Sequence, residues 1–217
     1  MPSLPSGAAR AWGNMMNIDM KRDAARKKFF DEHADSWDRN WPPEKLHRIE
    51  ELVESLNIRE GMTVIDVGCG QGILEPYLRK AVGPKGRIVA VDPSAPMLSH
   101  VPERDAETWQ LLARAECMPL MPDWADMVIC FSAFPHVEDK KAAAVEFRRV
   151  LKSGGQALIL HIDGREKLDR MHGMHHGVHG DRLPCPHGMK MIFGEAGFRR
   201  MDAHEDENHY YFSAWKD

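Results

Sequence analysis

The segment Asp66-Val-Gly-Cys-Gly-Gln-Gly72 sets three glycines at alternate positions, directly after the apolar run Met62-Thr-Val-Ile-Asp-Val67. Glycine has no Cβ, so Gly68 and Gly70 let the backbone bend sharply and approach a ligand closely. The residues that follow open a helix, where free amides and the helix dipole favour a negative group. One acidic residue, Asp66, ends the run that feeds this bend. A second, Asp92, ends the next apolar run, 22 residues beyond Gly70, where a carboxylate can accept both hydroxyls of a ribose. Together they suit a ligand with a sugar diol, a carboxylate for the loop amides and a positive charge for Asp66.

Those requirements separate two cofactor classes. A dinucleotide brings a pyrophosphate, which the Asp66 carboxylate repels. S-adenosylmethionine brings an ammonium, a sulfonium and a carboxylate, and it satisfies all three demands. Read as a mere tight turn and a helix cap, the same residues would agree in spacing only by accident. The loop therefore points to S-adenosylmethionine, with Gly68, Cys69, Gly70, Asp92 and Pro93 at its binding surface.

Such a loop needs a parallel sheet to hold it. Short apolar runs at Met62–Val67, Arg87–Val91, Thr108–Leu112, Asp126–Phe131 and Gln156–Ile162 read as strands, most of them buried on both faces. Helical spacing fills the gaps at Ile73–Val82, Ser94–Val101 and Lys140–Leu151. A last helix, His187–Ala196, leads to two strands, Arg199–His204 and Tyr210–Trp215, with no helix between them. The pattern predicts an α/β fold: a doubly wound, mostly parallel seven-stranded sheet with a C-terminal antiparallel hairpin and an N-terminal helical cap. Residues 1–20 read as a flexible N-terminus and 21–217 as one domain. Within it, 21–60 would form the cap (helices from Lys21 and over Glu44–Leu56), and 164–188 a His/Gly-rich lid or insert.

Asp66–Gly72, Val91-Asp-Pro-Ser-Ala-Pro-Met97 and Arg149-Val-Leu-Lys-Ser-Gly-Gly155 resemble the class I S-adenosylmethionine-dependent methyltransferases of the type-11 group, which includes the quinone-biosynthesis methyltransferases. The resemblance covers residues 60–162 and implies that Phe131 and Ser132, after the fourth strand, line the cofactor pocket. It implies an Asp-Ala pair against the adenine. Here the matching segment is Arg114-Ala115-Glu116, so an arginine stands where the family has aspartate, and Ala115 and Glu116 are the substitutes. Met97 either packs on the adenine or fills core.

The acceptor must sit beyond the carboxyl ends of the strands, which brings forward His136 and His161 as candidate bases. His136 could equally serve its own loop, and His161 could equally belong to the core. Six of the 12 histidines fall between His161 and His187. On a helix, His172, His175, His176 and His179 would form one stripe, and imidazoles at that spacing suit Zn, Ni, Cu or Fe. The glycines at 173, 177 and 180 weaken such a helix, which leaves a lid with His176 as a polar or acid–base contact, or solvent-facing histidines, as alternatives. Phe29, Phe30, Trp37 and Trp41 belong to the cap, against the cofactor mouth or stapled onto the sheet.

Composition narrows the partners. A net charge of −4 lacks the basic face that nucleic acid requires, and the basic run Lys21–Lys28 reads as a solvated helix face. No apolar run approaches the ~20 residues of a membrane span, and Met1–Gly7 is no secretory signal. Four scattered cysteines read as reduced thiols in the cytoplasm. The expected activity is methyl transfer to a small-molecule acceptor by in-line displacement, with a homodimer allowed. The alternatives are a metal-binding or cofactor-sensing module without catalysis and, less favoured, a nucleotide-dependent oxidoreductase.

Overall fold

The computed structural model describes residues 22–37, 41–102 and 107–217; the expected N-terminal segment 1–20 lies outside them. Seven strands form one sheet in the order β3-β2-β1-β4-β5-β7-β6. β1 (Thr63–Val67), β2 (Arg87–Asp92), β3 (Thr108–Leu112), β4 (Ala125–Phe131) and β5 (Leu151–His161) run parallel. β7 (Tyr210–Trp215) pairs antiparallel with β5 and with β6 (Arg200–Glu205), which gives the expected C-terminal hairpin.

Alternation along each strand divides the apolar residues between two layers. Ile65, Val67, Val128 and Cys130 pack under α5 (Lys140–Val150) and α7 (Pro186–Glu195). Val64, Ile88, Met127 and Ile129 pack under α2 (Pro43–Ser55) and α3 (Glu75–Val82). A sheet covered on both faces leaves its carboxyl edge as the open surface, and chain order reverses between β1 and β4. That crevice is where an open α/β sheet binds ligands.

The helical boundaries follow local chemistry. Asp139 caps α5 by accepting from the amides of Lys141 and Ala142. α3 stops at Gly83, whose φ of 66° suits a residue without Cβ. The expected helix Ser94–Val101 is shorter, α4 (Ala95–Leu98), because the amides of His100 and Val101 bond only three residues back. β5 starts earlier than its sequence pattern suggests. Ala125 pairs with Leu151 and Met127 with Gln156, so residues 152–155 bulge out between them. Over the carboxyl edge lie the cap helix α1 (22–33) with a single tight turn at Ala34–Ser36, and the segment 164–188. The latter opens with a helix, α6 (Arg165–Gly173).

Candidate active site

The glycine bend is fixed from β2. The amides of Gly68 and Cys69 donate to Val91 O at 2.7 and 3.1 Å, and Gly68, Gly70 and Gly72 have φ of 73°, 55° and 85°. Asp92 then holds the next turn. Its Oδ2 accepts from the Gly70 amide at 3.0 Å and its Oδ1 from the Ser94 amide at 2.8 Å. Burial pushes the Asp92 carboxyl up to about 6 against the pull of those two amides. Beside it Asp66 is buried, with no hydrogen-bond partner at Oδ2. Burial, and then the neighbouring Glu75 and Asp92 carboxylates, push Asp66 well above the ordinary carboxylate range.

Glu75 belongs to this site, and the sequence reading passed over it. It sits at the first position of α3 and is fully buried. An acidic residue in a helix's first turn ordinarily complements the dipole at the surface, and only its apolar setting, Ile73-Leu74-Glu75, hinted otherwise. Three carboxylates thus converge beneath one bend. Glu75 and Asp92 add to the burial that raises the proton affinity of Asp66, and a cation in the bend would favour its ionised form.

The bend opens into a cavity of about 550 Å³, in the range that encloses a cofactor-sized ligand. Every residue expected at the cofactor reaches its wall: besides the loop and Asp92, these are Pro93, Met97, Ala115, Glu116, Phe131 and Ser132. Glu116 is committed to protein, since its Oε1 accepts from the amides of Glu138 and Asp139, both at 3.1 Å. Arg114 turns to the helix over residues 22–33, donating to Asp23 at 2.7 Å. Ser132 adopts a φ of 55°, sparsely populated for a residue with Cβ, and its amide donates to Leu160 O at 2.9 Å.

Beside His136, one side chain gathers three segments. Asp181 is buried; it accepts from Arg26 on both oxygens at 2.9 Å, from Arg22 at 2.7 Å and from His136 Nδ1 at 2.8 Å. These partners hold its carboxyl well below the usual range despite burial. The helix over 22–33, the segment 164–188 and the loop after β4 therefore meet at a single carboxylate. Its partner His136 lines the cavity with its ring edge-on to Phe30 at 5.0 Å. Burial lowers its affinity for protons. With Nδ1 donating to Asp181, a neutral His136 keeps Nε2 as its proton acceptor.

The other histidines part company. His161 is buried behind the wall, edge-on to Tyr210 at 6.2 Å, with neither ring nitrogen partnered. Burial pulls its value down to about 3. Between pH 6.5 and 3 the unfolded chain therefore binds a proton that the native state refuses, and stability falls with pH by up to about 1.4 kcal/mol per unit. His161→Phe is expected to flatten that slope in urea titrations at pH 4.5 and 7; an unchanged slope would show that His161 is not the cause.

α6 ends at Gly173, so His172 alone of the proposed stripe lies on a helix. His172 Nδ1 pairs with Asp181 O at 3.0 Å, and His179 Nδ1 with Gly173 O at 3.3 Å. His172 and His175 line the cavity, while His176 and His179 are exposed and off its wall. The metal expectation for these four thus rests on a helical stripe that the glycines break. Among the described residues, three ligand atoms converge elsewhere, at His204, Asp206 and His209.

Comparison with known proteins agrees with the fold and the bend. Residues 65–159 match the family described as a methyltransferase domain. A ubiquinone/menaquinone biosynthesis C-methyltransferase of Burkholderia orbicola (strain MC0-3) is 31% identical over 112 residues, covering 50% of this chain and 46% of the relative. The chain spans about half the length of the curated relatives it matches. A solved S-adenosylmethionine-dependent methyltransferase of Aquifex aeolicus has a TM-score of 0.57 at 23% identity, over 81% of this chain and 98% of that one. A chain from a complex that contains the Haloferax volcanii Trm112 methyltransferase activator has a TM-score of 0.66 at 18% identity, over 86% of this chain and 96% of that one. Sheet order, bend and match define a class I methyltransferase fold. Residues 65–159 of that sheet are similar to a methyltransferase domain.

Proposed function

We propose that this chain catalyses transfer of a methyl group from S-adenosylmethionine to a small-molecule acceptor held in the cavity under the cap. The observation that carries the reading is the set of three buried carboxylates, Asp66, Glu75 and Asp92, beneath a bend with little side-chain bulk. When bound, the cofactor supplies an electrophilic methyl that the acceptor takes by in-line displacement. The chain's own work is to bind, align and keep water out, which can supply several kcal/mol of barrier lowering. Asp66, with Glu75 behind it, would hold the cationic head, Asp92 the ribose, and Met97 and Ala115 the adenine. Phe29, Phe30, Leu168 and Met171 give the acceptor end apolar walls, and His136 Nε2 is placed to take a proton from an acceptor that carries one. The four cysteines are free thiols, which supports a cytoplasmic setting, and no described helix is long and apolar enough to cross a membrane.

Calorimetry with S-adenosylmethionine and its demethylated product tests the reading. Binding is expected for both, and Asp92→Ala should weaken it by about 10- to 100-fold, the loss of one or two charge-assisted hydrogen bonds. A ribose diol donates to the ionised form of Asp92. Because that carboxyl titrates near 6 in the free protein, affinity should rise about tenfold from pH 5 to pH 7. A flat profile, or full affinity in the Asp92→Ala variant, would remove the ribose role; a shift in melting temperature with NAD instead would favour a dinucleotide enzyme.

A further inference from the structure

The turn between β6 and β7 carries a set of side chains that the cofactor cavity does not use. His204, Asp206 and His209 each offer one ligand atom, and the three atoms lie within 4.8 Å of one another. Asp206 Oδ1 stands 3.0 Å from His209 Nδ1, Asp206 Oδ2 stands 4.0 Å from His204 Nε2, and the two imidazole rings are 4.9 Å apart. Around an ion at about 2.0–2.1 Å from each ligand, neighbouring ligand atoms sit roughly 3.4 Å apart. Both imidazoles are largely free to rotate into that geometry, being exposed at their outer edges.

The carboxylate between them is already fixed. The amides of Asn208 and His209 donate to Asp206 Oδ1 at 2.7 and 3.0 Å. The turn is tied from three sides. Asp206 N donates to His209 O at 3.0 Å, Gly164 N to Glu207 O at 3.2 Å, and Arg48 to Asn208 O at 2.6 Å. A ligand set on a backbone this constrained has less ordering entropy left to lose on binding. Glu207 follows Asp206 in sequence and adds to the local negative charge.

We propose that His204, Asp206 and His209 form a binding site for a divalent transition-metal ion of the zinc and nickel type, with the remaining positions left to water. Two imidazoles and one carboxylate suit these borderline ions better than magnesium or calcium, which call for oxygen ligands. The same turn seats the lid. Glu205 pairs with Arg165 at 3.2 Å, and Gly164 is packed against Asp206 O so closely that a Cβ would lie 2.2 Å from it. α6, which starts there, lines the cavity through Leu168, Met171 and His172. An ion at the turn would stiffen the foot of a segment that lines the cavity. The inference uses no residue of the cofactor site and stands whether or not the chain transfers methyl groups.

The test is titration of the full chain, stripped with chelator and desalted, with zinc chloride alone in a calorimeter. One equivalent is expected to bind. His204→Ala and His209→Ala should each weaken binding by about 10- to 100-fold, at least the loss recorded when only a ligand's supporting partner is removed, and the double variant should abolish it. Asp206→Asn keeps an oxygen for the two amides but removes the charge, and should weaken binding while leaving the far-ultraviolet circular dichroism unchanged. A His175→Ala/His176→Ala variant should bind as the unaltered chain does. Zinc retained by the His204/His209 double variant, zinc lost from the lid variant, or no zinc bound by the unaltered chain would each overturn the assignment.

Discussion

Asp181→Ala is expected to lower the stability of the protein by about 3–5 kcal/mol, the range for breaking a buried ion pair from one side. Arg26 is only 7% exposed and Asp181 1%, so removing the carboxylate strands a guanidinium that keeps Glu138 at 2.7 Å but loses both hydrogen bonds to Asp181. Arg22→Ala is the control. Its side chain is 44% exposed, and the loss should stay below about 1 kcal/mol. Urea unfolding at pH 7 reads both. Asp181 is held below its ordinary value of 3.8, so its contribution is complete above that pH and fades only as pH falls through the depressed native value. The gap between Asp181→Ala and the unaltered chain should therefore be fully present at pH 7 and should not shrink at pH 5, because Asp181 also offsets the burial that lowers the proton affinity of His136. A second consequence is kinetic. Without Asp181 to fix its Nδ1 proton, His136 can present either nitrogen to the cavity, and turnover should fall more than cofactor affinity. A variant as stable as its parent, within about 1 kcal/mol, would show that cap and lid are not joined here.

The parts of the site that could be seen in the sequence are those whose meaning is carried by neighbours along the chain. Asp66 is the last residue but one of β1 and Asp92 the last of β2, strands that short apolar runs announce, and the spacing between bend and second carboxylate is set by one βαβ unit. The sheet was legible for the same reason: strands buried on both faces leave continuous apolar runs that no surface segment imitates. Asp181 was not visible, because its partners lie 155 and 45 positions away at Arg26 and His136, and no periodicity records a pairing between a cap, a lid and a loop. α6 was hidden differently. Leu168 is its one buried residue, so the apolar stripe that marks an amphipathic helix is missing and glycine and histidine dominate the reading of 164–188. Glu75 looked like an ordinary dipole partner until the fold closed over it.

Gly68→Ala is expected to cost about 2–5 kcal/mol and to abolish measurable binding of S-adenosylmethionine, whereas Gly70→Ala, two residues on, should fold and bind more weakly. The difference is geometric. A Cβ on Gly68 would lie 2.3 Å from Ala133 Cβ, while one on Gly70 would find its nearest neighbour at 4.0 Å, on Trp37. Both positions have positive φ, 73° and 55°, which penalises a side chain by about 1–2 kcal/mol; overpacking of about 1–3 kcal/mol is added at Gly68 alone. The two contributions can be separated by pairing Gly68→Ala with Ala133→Gly. That second change removes the colliding methyl and leaves the backbone strain, so stability should recover by the overpacking share. The loop after β4 thus passes so close to the bend after β1 that only hydrogen fits between Gly68 and Ala133. If Gly68→Ala bound the cofactor as tightly as the unaltered chain, the bend would not be the cradle, and the three carboxylates beneath it would need another occupant.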